Sequence, residues 1–200
     1  MKTASFAGTW LVAVALAIGC SRRDGSPSWA RGDCPCEKAD ARPVDAELLA
    51  WLSKGRSLHH LADLAENDGA NDRAAAALDR LVTGPIPLGG SPEVDEVLAD
   101  TYARLAELES RQGNYEKAEQ RIAAGLERAA EISYFRGHLL EVRGLVLERL
   151  AKQRADEGRG AEAAEARQDA IRASLEAVRI QDEVIKRTLG DAGGAPVRDR

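Results

Sequence analysis

"YARLAELESRQGNYEKAEQRI", residues 102–122, decides the fold. Tyr102, Leu105 and Ala106 fall at i, i+3 and i+4, so one face of a helix carries all three. Gly113 stands where that helix must stop, because glycine enters the left-handed region at little cost. Ala118, five residues on, lies in a returning helix, and its small side chain lets the two backbones approach closely. The segment predicts an antiparallel helical hairpin.

The same five positions occur three times. Leu58, Leu61, Ala62, Gly69 and Ala74 keep the same internal offsets, and so do Leu147, Leu150, Ala151, Gly158 and Ala163. The three starts are 44 and 45 residues apart. Composition agrees: aromatics are 4% and charged residues 30%, with β-branched residues sparse, which suits charged helix faces around Ala and Leu seams. The expected fold is all-α, a stack of about three helical hairpins made from six main helices.

The pattern predicts helix one from about Val44 to Asn67, with Leu48, Leu52, Leu58, Leu61 and Ala65 facing inward. Helix two is expected over Asp72–Thr83. Helix three is expected from Pro92 to near Gly113, capped by Ser91. Helix four should run from Asn114 to about Ile132, helix five over Tyr134–Glu157 and helix six over Ala161–Leu189, stopping at Gly190. Ile171, Leu175, Val178 and Ile185 form the expected seam of helix six, interrupted by Asp182. Arg154 and Arg167 occupy places where apolar residues belong, so the third copy aligns with the other two more loosely.

These residues resemble the tetratricopeptide repeat, whose pattern is W-x2-L-G-x2-Y, then A-x3-F, then P. Tyr102 stands at the Trp of that pattern, Leu105 and Ala106 at Leu-Gly, Ala118 at the second-helix Ala and Ile122 at the Phe. Glu109 replaces the expected Tyr, and no Pro closes the unit. The period exceeds the family's 34 residues. In that respect it is similar to the long-helix repeats of kinesin light chain, and "LEAVRIQDEVIKRTLGD" resembles the end of one. The likeness covers residues 44–190 and speaks to architecture rather than function. It implies a groove lined by the first helices that takes a peptide or a partner helix. Counted from each anchor, the residues expected to face that groove are His59, Asp63, Glu66 and Asn67, then Ala103, Glu107, Ser110 and Arg111, then Glu148, Lys152, Ala155 and Asp156. That set reads as a polar, acid-leaning binding face.

The beginning of the chain sets an address. Phe6–Gly19 carries no charge and follows Lys2. Fourteen residues make about 21 Å of helix, short of the roughly 30 Å hydrocarbon core. The shape is that of a secretory signal. "LAIGC", residues 16–20, resembles the lipobox of bacterial lipoproteins, with Ala17 where Leu is commoner. The resemblance implies that residues 1–19 are a signal peptide and that Cys20 becomes the lipidated first residue of the mature chain. Two or more acyl chains give stable attachment where one does not. Ser21, in place of Asp, implies sorting to the outer membrane, with the body in the periplasm.

Residues 20–43 read as a lipidated flexible tether rich in Gly, Pro, Ser and mixed charge, with a reach of roughly 25–30 Å. Residues 191–200 read as a disordered tail. Cys34 and Cys36 flank Pro35 inside the tether. A disulfide across one residue closes a strained, easily reduced ring. A redox or metal-handling lipoprotein built on this segment is the alternative reading, although two cysteines are half of a usual metal site.

The formal charge is −5, with Arg and Glu interspersed, which argues against nucleic-acid binding. No G-x-S-x-G, H-E-x-x-H or phosphate-cradling loop is present, so no enzyme, cofactor or metal site is expected. Anchored repeat proteins of this sort resemble pilotins and accessory factors for assembly of outer-membrane complexes. The expected role is a non-enzymatic interaction scaffold of the bacterial cell envelope, whose partners are the membrane, through the lipid, and a protein or peptide, through the groove.

Overall fold

The structure is a computed structural model that describes residues 45–87 and 91–192, the last two by backbone alone. Cys20, Cys34, Cys36 and residues 193–200 lie outside the described residues. Six helices follow one another: α1 (Ala46–Asn67), α2 (Asn71–Val82), α3 (Pro92–Arg111), α4 (Tyr115–Arg128), α5 (Tyr134–Asp156) and α6 (Gly160–Ala192). There is no strand among the described residues. None of these helices is long and apolar enough to cross a membrane.

Three glycines make the three hairpins. Gly69, Gly113 and Gly158 hold φ of 72°, 81° and 76°, a region that costs any other residue strain. In each turn the following N–H reaches back five residues: Ala70 N to Ala65 O at 2.8 Å, Asn114 N to Glu109 O at 2.9 Å, and Arg159 N to Arg154 O at 2.8 Å. This bond satisfies a helix carbonyl that would otherwise lack a partner. The helix starts are less uniform. Asp45 Oδ1 accepts from the Glu47 and Leu48 amides at 2.9 and 3.2 Å, and Ser133 Oγ accepts from Arg136 N at 3.2 Å. The Ser91 hydroxyl turns instead to Glu93, so Pro92 at the first turn does more than the cap to start α3. Helix α4 stops at Arg128, four residues before the expected Ile132.

Glu109, where the repeat pattern expects Tyr, is 2% exposed. It pairs with Lys117 and accepts from Asn114 Nδ2 at 3.0 Å. A buried carboxylate thus clamps the second turn, and its two partners meet the desolvation cost that would otherwise oppose burial.

Each hairpin packs against the first helix of the next. Ala62, Ala65, Ala74, Ala75 and Leu78 of hairpin one bury Leu105 and Leu108 of α3. Ala99, Ala103, Ala106, Ala118 and Ile122 of hairpin two bury Leu139, Val142 and Val146 of α5. The backbones of the first helices lie close, α1 to α3 and α3 to α5, while α2, α4 and α6 stand farther apart. The second helices meet through side chains: Arg121 of α4 reaches Asp79 of α2 at 2.6 Å, and Leu126 of α4 packs on the cluster of Leu140, Ala177 and Ile180. A stack whose first helices lie nearer one another than its second helices curves, with the first helices on the inner side.

Three expectations are corrected. Leu61 is 47% exposed and not part of the core. Its counterpart Leu105 is covered by the hairpin before it, and no described element precedes α1 to do the same. Helix α6 runs through Gly190 to Ala192. Its expected seam of Ile171, Leu175, Val178 and Ile185 faces outward. The inward seam is Ala163, Ala166, Ala170, Ala173, Ala177 and Ile180, set three and four apart, and it meets Gly137, Leu140, Gly144 and Leu147 of α5. Small residues on both sides bring these helices so close that a Cβ on Gly144 would stand 2.5 Å from Ser174 Oγ. Hairpin three is therefore tightly closed, because alanines rather than the positions of Arg154 and Arg167 form its contact.

Candidate functional site

The inner face carries a ladder of charges that joins all three hairpins. Arg104 on α3 reaches back to α1, with its Nη2 2.5 Å from Asp63 Oδ1 and 2.5 Å from Glu66 Oε1. Arg111 links the other Glu66 oxygen, at 2.8 Å, to Glu107 Oε1, at 2.6 Å. Arg149 on α5 reaches back to α3, donating to Ser110 Oγ at 2.7 Å and to Glu107 Oε1 at 3.4 Å. Asp63, Glu66 and Glu107 thus face Arg104, Arg111 and Arg149, and the ladder is formally neutral.

Repetition in the sequence creates this ladder. Arg104 and Arg149 each stand two residues after an anchor, and each grips the residues five and eight after the previous anchor. Sequence reasoning missed both arginines, although their equal offset was visible. In the third repeat the gripped positions become Lys152 and Ala155, so the ladder ends there. Burial pushes the Glu107 carboxyl up, but Arg111 and Arg149 outweigh it and hold it below its ordinary value. The same balance raises Arg104: burial opposes its charge, and Glu66 and Asp63 restore it. Each pair is partly exposed and contributes at most about 1 kcal/mol alone. Its larger effect is to fix the spacing of neighbouring hairpins.

A cleft of about 270 Å³ opens beside the ladder, lined by His59, Glu66, Asp100, Ala103, Arg104, Glu107, Leu108, Arg111, His138 and Val142. His59 spans from α1 to α3, with Nε2 2.9 Å from Thr101 Oγ1. The Thr101 hydroxyl already donates to Val97 O at 2.6 Å, so the histidine is the donor and carries its proton on Nε2. His138 lies on α5, with Tyr134 stacked against it at 5.9 Å between ring centroids.

The structure brings together His59, Asp63, Glu66, Glu107, Ser110 and Arg111. It does not bring the others. Asn67 is exposed at the end of α1, and Lys152 pairs only with Asp156, at 2.7 Å. Glu148 lines a different groove, between α5 and α6. It sits one place after its anchor, as do His59 and Ala103, which line the cleft because the first helix of the next hairpin lies beside them. Ser110 is buried and spent on Arg149 and on Glu107 O, so no hydroxyl is left for a ligand. The face is therefore less acidic than its composition suggested. Asp100 is the cleft carboxylate that makes no ion pair among the described residues. These residues also contain no group of His, Cys, Asp and Glu placed to hold a metal.

Burial lowers His59 below the ordinary histidine value. The unfolded chain then binds its proton more readily, so stability present above about pH 6.5 is lost as pH falls through that value toward the folded one. Urea unfolding at pH 7 and pH 5 is expected to show a loss for the native chain. The loss should be smaller for His59→Gln, whose amide can still donate to Thr101. Equal losses in the two proteins would remove His59 as the cause.

The chain matches no protein-family model, no curated protein and no solved structure.

Proposed function

We propose that the protein is a lipid-anchored interaction scaffold of the bacterial cell envelope. It holds a segment of a partner protein across the inner face of α1, α3 and α5. One observation carries the reading: the ladder from Asp63 to Arg149 spends its side chains on spacing three hairpins around a cleft. Such a device suits a surface that must keep one shape for a ligand. Donors and acceptors alternate along it, which fits a polar or amphipathic peptide. Unpaired Asp100 favours one with a Lys or Arg near its middle. The lipobox-like "LAIGC" supports attachment at Cys20, and Ser21 supports the outer membrane. A partner drawn from an outer-membrane complex under assembly is the setting that fits both.

Two measurements test this. Replacing Cys20 by alanine is expected to abolish labelling by radioactive palmitate and to move the protein from the membrane pellet to the soluble fraction. An unchanged pellet would defeat the anchor. A photo-crosslinking amino acid in place of Asp100, in growing cells, is expected to trap one defined envelope protein, while the same group in place of exposed Glu127 on α4 traps none. Equal capture from both positions, or capture from neither, would defeat the groove.

A further inference from the structure

The face of hairpin three that would receive another helix is apolar and uncovered. The molecule itself shows what belongs there. In hairpin two, Ala99, Ile122 and Gly125 lie under α5, and a Cβ on Gly125 would stand 2.6 Å from Leu139 Cδ2. Forty-five residues on, the same positions are Gly144, Arg167 and Ala170. With Leu145, Glu148, Ile171, Ser174, Leu175 and Val178 they line a groove of about 560 Å³ that no described element fills, its aliphatic floor flanked by the charges of Glu148 and Arg167.

The groove continues along α6. Ile171, Leu175, Val178, Asp182, Ile185 and Leu189 are spaced alternately four and three apart, the heptad spacing of a helix that packs on another helix. The five aliphatic members are 47 to 67% exposed, and Leu145 is 40% exposed. A continuous uncovered apolar stripe of this kind marks an interaction surface. The other end of the stack differs. There the positions equivalent to Val97, Leu98 and Thr101 are Ser53, Lys54 and Ser57, which are exposed and polar, and the exposed leucines at the positions of Leu105 and Leu108, Leu61 and Leu64, are not continued by a heptad stripe.

Charge selects the occupant. One border of the stripe carries Arg172, Arg179 and Lys186, and the other carries Ser174, Gln181 and Thr188. A second copy fits badly. Antiparallel pairing would set the basic border against itself and place Asp182 on an aliphatic layer. Parallel pairing would place Asp182 against Asp182. Both bury a carboxylate with no cation, even though Asp169 and Glu176 soften Arg172 and Arg179. We propose that the outer face of α5 and α6 docks a single amphipathic helix of a partner protein. That helix carries an aliphatic heptad stripe, an acidic border and a Lys or Arg level with Asp182. A polar residue in the seam then fixes register and rejects self-pairing.

The test uses the purified full-length chain and a labelled synthetic helix of about four heptads. The helix has Leu in the seam, Glu on its borders and one seam Lys to meet Asp182, and binding is read by fluorescence anisotropy. Binding is expected, weakened roughly tenfold or more by Asp182→Lys and recovered when the peptide's seam Lys becomes Asp. Leu175→Glu should abolish binding without loss of helical circular dichroism, because Leu175 is already in solvent. Absence of binding, or binding indifferent to the charge exchange, would overturn the proposal. So would sedimentation of the free chain as a dimer that Leu175→Glu dissociates, since a second copy would then be the occupant.

Discussion

Gly125→Val is expected to lower the unfolding free energy by about 3 kcal/mol. Gly125 is buried in α4, where the first helix of hairpin three crosses it. A Cβ there would stand 2.6 Å from Leu139 Cδ2 and 3.1 Å from both Leu139 Cδ1 and Tyr102 Cβ. Leu139 has no free volume to retreat into, because it is fully buried among Ala99, Ala103, Ile122 and Val146. Tyr102 Cβ is fixed by the α3 backbone. The helix gains propensity when glycine is replaced, but by no more than about 1 kcal/mol, so overpacking wins. For a body of this size the melting temperature should fall by roughly 6–12 °C. Thermal and urea unfolding of the single and double variants check the cause. Leu139→Ala combined with Gly125→Val should cost well below the sum of the two single losses, because the first change makes the room that the second needs. Strict additivity would show that Gly125 matters for some reason other than this crossing.

Leu105→Ala and Leu61→Ala test the repeat itself. The two leucines occupy the same place in consecutive copies, three residues after the anchor. Leu105 is fully buried between hairpins one and two, against Ala62, Ala74 and Leu78. Truncation there leaves a cavity between two rigid units and is expected to cost about 3 kcal/mol. Leu61 faces outward, and its truncation should stay within about 0.5 kcal/mol. Urea midpoints of the two variants measure the contrast. Similar losses would mean that Leu61 is covered in solution.

Those leucines also show how far the sequence could be read. The turns were legible, because a helix reversal with positive φ calls for glycine, and Gly69, Gly113 and Gly158 stand at equal offsets. Burial was not, because it depends on whether a neighbour follows or precedes. Leu61 and Leu105 share one local pattern and differ only in what lies beside them. Helix α6 misled for a related reason. It has two stripes at helical spacing, and the large aliphatic one looked like core. The alanine stripe gives little hydropathy contrast, yet only small residues allow the approach that Gly137 and Gly144 require. On the inner face the carboxylates were legible one by one. Apart from Arg111, four residues after Glu107, their neutralisation was not, since the other arginine contacts come from the next hairpin, 38 to 45 residues away.

Hairpin one meets hairpin two, and hairpin two meets hairpin three, but one and three never meet. Mechanical load entering where α1 begins would therefore reach the remaining helices only in turn. Detaching α1 and α2 removes the cover from Leu105 and Leu108 and breaks the Arg104 rungs, yet leaves the close-packed α5–α6 pair untouched. Extension at constant speed should yield a staircase rather than a single rupture, with the last and highest step at the alanine zipper.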